Sequence, residues 1–275
     1  MSVSANSTYV AEIEQWRQVM DHSLRSEEGW LSLVGLHWLK PGLNTLGSAD
    51  SADVPLPLSM PAELGTIEWS DDQFTLRITA PTAVMIDDKP VVGTAVLRDD
   101  EAAGGASIVR LGTVSFFVIR RGDEFAVRVR DTDNPDRQAF TGRKWFPLDS
   151  SYRVSAKLIP HAVPRTVQVI NSAGQIAPMK NPAQVEFVLN GQTLRLEAFS
   201  AANDSLWFVF KDATSGQSTY GAGRFMYAST QADGSIMLDF NRSYHPPCAY
   251  TPYATCPRPL PENILPVPIL AGEHT

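Results

Sequence analysis

The residue types best suited to chemistry crowd into one stretch near the C-terminal end: Asp239, Asn241, Arg242, His245, Cys248, Tyr250 and Cys256, with Pro246, Pro247 and Pro257 among them. Prolines fix φ and lack the N–H donor, so the stretch cannot be regular helix or central strand. Such a segment serves either as a site or as a clasp. Three chemistries compete for it. His245, Cys248 and Cys256, with Asp239 as a fourth ligand, would suit zinc, but structural zinc sites favour two short-spaced pairs and only one exists here, so neither metal nor other cofactor is expected. Cys248 could act as a nucleophile with His245 or His161 as base. That needs a thiol of lowered pKa, which Arg224 or Arg242 would have to supply because no helix N-terminus follows the two prolines; the competing reading is a buried, inert thiol.

The third chemistry is a polar pocket. Gly221 and Gly223 permit close backbone approach, Arg224 can grip a carboxylate or phosphate at two points, and Asp239 and Asn241 share one face of a strand. The competing reading is an internal Arg224–Asp239 ion pair pinning the C-terminal extension to a sheet. The leading expectation is therefore a small-molecule site, its ligand anionic, walled by Tyr220, Arg224, Asn241, His245, Tyr250 and the Cys248 loop. If the ligand is turned over, hydrolysis is the expected reaction, with Arg224 orienting the anion, Asp239 as general base and Cys248 as the other catalytic candidate. A structural or interaction module held by a stabilising clasp is the alternative, and whether the protein is an enzyme stays open.

The elements that must position these groups are mainly strands. Ile13, Trp16, Met20 and Leu24 recur at helical spacing, giving an N-terminal helix within residues 1–29 that stops at Gly29. From Gly65 to Asp131 the period changes to two, with turns at Asp87-Asp88-Lys89 and Arg121-Gly122-Asp123, predicting an antiparallel β-sandwich over residues 30–137. There Phe125, Val127 and Val129 face the core, while Arg128 and Arg130 are expected on the wet face. A polar interval from Asp131 to Arg137 marks the boundary. A second β unit follows over residues 138–275: strands at 152–159 and 163–170, a hairpin through Asn190-Gly191, strands at 206–210, 224–227 and 236–240 with a turn at Asp233-Gly234, and a proline-rich extension lying across them.

Composition narrows the rest. With 43% hydrophobic and 19% charged residues in 275, the chain can bury a sizeable core, and its formal charge of -7 argues against nucleic acid and membrane surfaces as partners. No leader-like or bilayer-length apolar run occurs and two cysteines make no disulfide framework, so a cytoplasmic protein is expected; its oligomeric state is left open.

Tyr220 to Phe225, Asp239 to Asn241, Pro246 to Tyr250, Ala254 to Pro257, Glu262-Asn263 and the closing Ala271-Gly272-Glu273 together resemble the family termed domain of unknown function 1684. Gly29 to Leu31, Val34 to Leu36, Trp38-Leu39 and Trp145 to Pro147 are similar to it as well. The resemblance implies no activity, and the family pattern carries Asn where His245 stands, so it implies no imidazole metal ligand. The first half is also similar to forkhead-associated modules, through Gly42 to Ser48, Asp53 to Leu56, Ile108 to Gly112 and Phe116 to Ile119. That similarity implies a β-sandwich and not phosphopeptide binding, because the serine and histidine such modules use are not matched.

Overall fold

Period-two alternation becomes strand throughout, and the breaks in it decide how the strands are shared out. A computed structural model describes residues 2–202, 205–231 and 235–275, and the chain divides into a unit of Ser23–Phe140 and a unit of Met1–His22 with Thr141–Thr275. In the first unit the strands are β1 (Leu33–Trp38), β2 (Gly42–Gly47), β3 (Val54–Pro55), β4 (Gly65–Ser70), β5 (Gln73–Ile78), β6 (Val84–Ile86), β7 (Lys89–Val91), β8 (Thr94–Leu97), β9 (Val109–Leu111), β10 (Val114–Arg121) and β11 (Glu124–Asp131). They form two sheets, ordered β1-β11-β10-β9-β6-β7 and β3-β2-β4-β5-β8, antiparallel except for the β2–β3 pair. Leu46, Ile67, Phe74 and Leu76 of one sheet and Val109, Phe116, Val118 and Val127 of the other make one core, as a sandwich requires.

Asp87 (φ 48°) and Asp88 (φ 62°) form the expected tight turn between β6 and β7, and Gly122 (φ 65°) that between β10 and β11. The run from Val91 to Leu97 is not one strand. Gly93 (φ 82°) breaks it, sending β7 to one sheet and β8 to the other. Arg128 is not on a wet face: it is only 4% exposed, its guanidinium 5.1 Å over the Trp30 ring. The polar interval is folded too. Asn134 caps the short helix α2 (Pro135–Ala139) and donates to the carbonyls of Leu31 and Leu33 at 2.7 and 3.2 Å.

The N-terminal helix α1 (Ser2–Arg25) ends four residues before Gly29, and its part up to His22 groups with the second unit. There Ile13 is buried, and Trp16 packs edge-on against Trp145 at 5.4 Å. The second unit's strands are β12 (Lys144–Trp145), β13 (Arg153–Ile170), β14 (Ile176–Leu189), β15 (Gln192–Ser200), β16 (Leu206–Phe210), β17 (Arg224–Ala228), β18 (Ile236–Asp239) and β19 (Glu273–His274). Six pair in the order β17-β16-β15-β14-β13-β18, and β12 pairs with β19. Asn190 (φ 51°) and Gly191 (φ 77°) make the predicted hairpin. The two strands expected at 152–159 and 163–170 are instead one, β13, with its register interrupted between Pro160 and Arg165. The predicted turn at Asp233-Gly234 lies outside the described residues. No helix among the described residues is long and apolar enough to cross a membrane.

The C-terminal extension completes this unit's core. Leu265, Val267, Ile269 and Ala271 are buried while Ile264, Pro266, Pro268 and Leu270 face outward, a strand-like alternation that packs against Phe187, Phe208, Phe210 and Phe240. The extension runs beside the segment after β16, with the N–H of Lys211 and of Leu265 donating across at 2.9 and 2.8 Å. Ile269 is fully buried. Ile269→Ala should therefore lower stability by about 2–5 kcal/mol, read as a shifted urea midpoint at unchanged slope; a loss under about 0.5 kcal/mol would remove the extension from the core.

Candidate functional site

Arg224 opens β17 immediately after Gly223, whose positive φ of 103° and approach to the Phe210 carbonyl leave no room for a Cβ. Gly221 is under no such constraint, its Cβ position meeting nothing closer than 3.6 Å. The Arg224 side chain has no exposure, and its carboxylate partner is Asp212 at 2.8 Å rather than the expected Asp239. It also donates to the carbonyl oxygens of Ile269 (2.9 Å), Ala271 and Glu273 (3.4 Å). Asp212 in turn accepts from the N–H and hydroxyl of Thr214 at 2.9 and 2.6 Å and from the N–H of Ile269 at 3.2 Å. Burial pulls the guanidinium pKa down, with the Asp212 charge opposing it. Closed to solvent, with both terminal nitrogens donating to internal acceptors and Nε buried without a partner, Arg224 has no open hollow before it, which corrects its expected role as the anion grip.

Asp239 and Asn241 do meet, but in a different cluster. Asp239, at the end of β18, accepts the Tyr9 hydroxyl at 2.9 Å, the Asn241 N–H and side-chain amide at 3.1 Å each, and lies 3.5 Å from Arg242. Asn241 is fully buried, its amide donating to the Asp149 carbonyl at 2.9 Å and its oxygen accepting the Asp149 N–H at 3.2 Å. Burial, reinforced by the Asp239 charge, raises the Tyr9 pKa. A cleft of about 360 Å³ opens here, lined among others by Tyr9, Glu12, Arg153, Tyr227, Asp239 and Arg242. Arg153 stacks 4.8 Å over the Tyr9 ring.

Tyr220, His245 and Tyr250 come together as expected residues of one cleft, of about 230 Å³, with Arg143, Lys144 and Glu273 beside them. His245 is wired at both nitrogens: Nδ1 is 3.1 Å from Glu273 Oε1, and Nε2 accepts the Tyr220 N–H at 3.1 Å. Because a backbone N–H can only donate, the ring proton sits on Nδ1 and points at the carboxylate. Glu273 Oε2 takes the His245 N–H at 2.8 Å and Arg143 Nη1 at 3.3 Å, while the Arg143 guanidinium lies 4.9 Å over the Tyr250 ring. The paired prolines deliver a 3-10 turn, Pro247–Ala249, whose Cys248 carbonyl accepts the Tyr220 hydroxyl at 2.9 Å. Burial and the contact with Cys248 push the Tyr220 pKa up to about 12.

Neither basic partner expected for Cys248 is placed to serve it. His245 is committed as described, and His161 pairs through Nε2 with Glu197 at 2.9 Å. Arg242 has Asp239 and Arg224 has Asp212. What Cys248 does have is Cys256, whose Sγ accepts the Cys248 N–H at 3.3 Å. A hydrogen bond from Cys256, foremost, and one from Tyr220 pull the Cys248 thiol down to about 7 against the effect of burial.

The cluster around Glu197 carries no local sequence signal. Glu197 on β15 takes His161, the Asn181 amide (3.0 Å) and Arg165 (2.7 Å) where the β13 register breaks, and its N–H donates to Asn263 at 2.7 Å. Burial works against its ionisation, but these three hydrogen bonds outweigh it and hold the carboxyl below its ordinary 4.5. A depressed folded value gives stability that is complete above the unfolded value and is lost as pH falls through the folded one. Glu197→Gln should thus be less stable than the parent at neutral pH and show a flatter stability profile below about pH 4.3, measured by urea unfolding; parallel profiles would deny the linkage.

The Arg224 assignment is testable by double-mutant cycles. Arg224→Met should cost about 3–5 kcal/mol by stranding Asp212, and its cycle with Asp212→Asn should show coupling of about 1–3 kcal/mol. The cycle with Asp239→Asn should be additive to within about 0.5 kcal/mol, since Arg224 and Asp239 share no partner; equal coupling in both would restore the Arg224–Asp239 pair.

No curated protein matches the chain. An uncharacterized protein of Haloarcula marismortui, known from a solution NMR structure, is 33% identical over 50% of this chain and 79% of its own, with a TM-score of 0.43. An FHA domain studied for phosphothreonine-dependent interactions is 19% identical over 34% of this chain and 92% of its own, and the FhaA FHA domain complexed with the intracellular domain of Rv3910 is 19% identical over 34% and 97%, each with a TM-score of 0.25. Residues 138–274, which include Arg143, Lys144, Tyr220, His245, Tyr250 and Glu273 of the His245 cleft, match the family described as Protein of unknown function (DUF1684), and the chain belongs to that family.

Proposed function

We propose that the C-terminal unit binds a small anionic molecule in the His245 cleft. The observation that carries this reading is an exposed lysine at the rim of an opening whose wall is satisfied from within. Glu273 is spent on Arg143 and on His245, so its negative charge is balanced inside the wall. Lys144, exposed at the rim, is paired with no carboxylate among the described residues, and the Tyr250 face and His274 border the same space. A cleft of about 230 Å³ suits a small carboxylate or phosphate ester rather than a drug-sized ligand.

The reading is binding in the first place. Hydrolysis would need a general base, and the two candidates are occupied: both His245 nitrogens are engaged and the Asp239 oxygens already receive Tyr9 and Asn241. The clasp alternative is favoured by its own observation, the fully buried Arg224 with its three tail carbonyls. It accounts for Arg224 and Asp212 and leaves the cleft unexplained, so the clasp is best taken as the cleft's support.

Thermal denaturation with inorganic phosphate and a panel of small carboxylates tests the binding reading. A bound anion at about 100-fold over its Kd should stabilise by about 2.7 kcal/mol, and Lys144→Ala and Tyr250→Ala should each abolish the shift while melting normally without ligand. No shift with any probe, or shifts indifferent to both substitutions, would sink it.

A further inference from the structure

The chain has two cysteines, and folding brings them together across a pinned loop. Cys248 sits half-buried on the 3-10 turn after the two prolines, held by the N–H of Ala249 and of Tyr250 donating back to the carbonyls of Pro246 and Pro247 at 2.9 Å each. Cys256 is 6% exposed and fixed from the other side: its N–H donates to Ser172 Oγ at 3.0 Å and its carbonyl accepts the Ser172 N–H at 2.8 Å. The next residues are tied to the β13 end, Arg258 N–H to the Ile170 carbonyl at 2.9 Å. Between these anchors the Cys248 N–H points at Cys256 Sγ, 3.3 Å away. Both side chains are thiols in this state.

We propose that Cys248 and Cys256 are a redox-active dithiol, in which Cys248 is oxidised by a hydroperoxide and Cys256 resolves the product to a reversible disulfide. The geometry sets the order, because an oxidant arriving from solvent meets the half-buried sulfur first and the buried one waits beside it. In the first step the Cys248 thiolate attacks the distal oxygen of the hydroperoxide. An S–O bond forms, the O–O bond breaks, and the departing alkoxide or hydroxide takes a proton to leave as alcohol or water. In the second step Cys256 sulfur attacks Cys248 sulfur. The S–S bond forms, the S–O bond breaks, and the leaving hydroxide takes the Cys256 proton as water. Two thiols lose two electrons and two protons in all, the hydroperoxide being the oxidant, and an external dithiol reverses the change by exchange.

The electrostatic surroundings support this order. The titratable or charged groups that act on the pair are Tyr220, whose hydroxyl bonds to the Cys248 turn, Tyr244 and Arg258, besides the cysteines themselves. Cys256 is the main cause of the lowered Cys248 pKa of about 7, so near neutral pH a substantial fraction of Cys248 is thiolate. The proposal does not rest on the anion-binding reading.

The test treats the reduced full chain with equimolar hydrogen peroxide and maps peptides without reduction. The expected product is a Cys248–Cys256 disulfide, two hydrogens lighter, returned to thiols by dithiothreitol in the folded state. Cys256→Ser should stop at a Cys248 sulfenic acid trapped by dimedone, and Cys248→Ser should give neither adduct nor disulfide. Wild-type protein that keeps both thiols, that passes to sulfinic acid without forming the disulfide, or whose disulfide yields to dithiothreitol only after unfolding would overturn the proposal. The pH profile of Cys248 alkylation gives a second readout independent of peroxide: its midpoint should lie near pH 7 and move upward in Cys256→Ala, which removes the donor, and an unmoved midpoint would refute the thiol–thiol contact.

Discussion

A guanidinium with no access to water governs the C-terminal unit. Arg224 is charged, wholly buried and fixed at the start of β17, so the surrounding chain must supply its acceptors or the fold loses several kcal/mol. Asp212 supplies the charge. The extension supplies carbonyls, and its conformation explains how: in an extended segment alternate carbonyls point the same way, so Ile269 and Ala271 present two oxygens along one edge to the terminal nitrogens of the fork, and Glu273 adds a third after the bend at Gly272. The same alternation turns Ile269 and Ala271 into the core. A chain that is irregular by its prolines is thereby given the donor a neighbouring strand would have provided.

The consequence reaches the cleft through a single residue. Glu273 is held at its carbonyl by Arg224, and its carboxylate then gathers the Arg143 guanidinium, the His245 N–H and the His245 ring. Gly272 makes the bend between possible, with a positive φ of 79° and the Ser243 and Phe240 carbonyls where a Cβ would stand. His245 in turn fixes the Tyr220 N–H, and the Tyr220 hydroxyl fixes the Cys248 turn. Site and clasp, rivals in the sequence, are consecutive links of one hydrogen-bonded chain.

The parts of this arrangement that could be read beforehand are those with local causes. Alternating strands, the Asn190-Gly191 turn and the proline-bound C-terminal segment follow from residue preferences over a few positions. The first nine residues of β14 escaped because Pro178 and Pro182 interrupt the alternation, although both sit in a paired strand. Partners distant in sequence escaped for a different reason. Nothing in the residues around Asp212 distinguishes it from any turn aspartate, and Tyr9 reaches Asp239 across 230 positions from a helix whose visible pattern is only its apolar stripe. Arg128 looked solvent-facing by alternation, which cannot show that Trp30 covers that face.

Buried amides follow the same logic as Arg224 and separate supporting groups from those able to meet a ligand. Asn263 accepts the Glu197 N–H and donates to the Glu197 and Val209 carbonyls, standing in for a strand where the extension leaves the sheet. Asn181 does the like at the β13 irregularity, and Asn241 for Asp149. Each is buried with its hydrogen bonds made to backbone and side-chain groups inside the protein, so exchanging partners with a solute would strand those groups at a cost of about 1–3 kcal/mol apiece. Lys144 faces no such cost. The anion site proposed above follows from this distinction: at the His245 cleft exposed charge and aromatic surface adjoin a wall already satisfied from within, so a solute bound there need not displace the groups behind it.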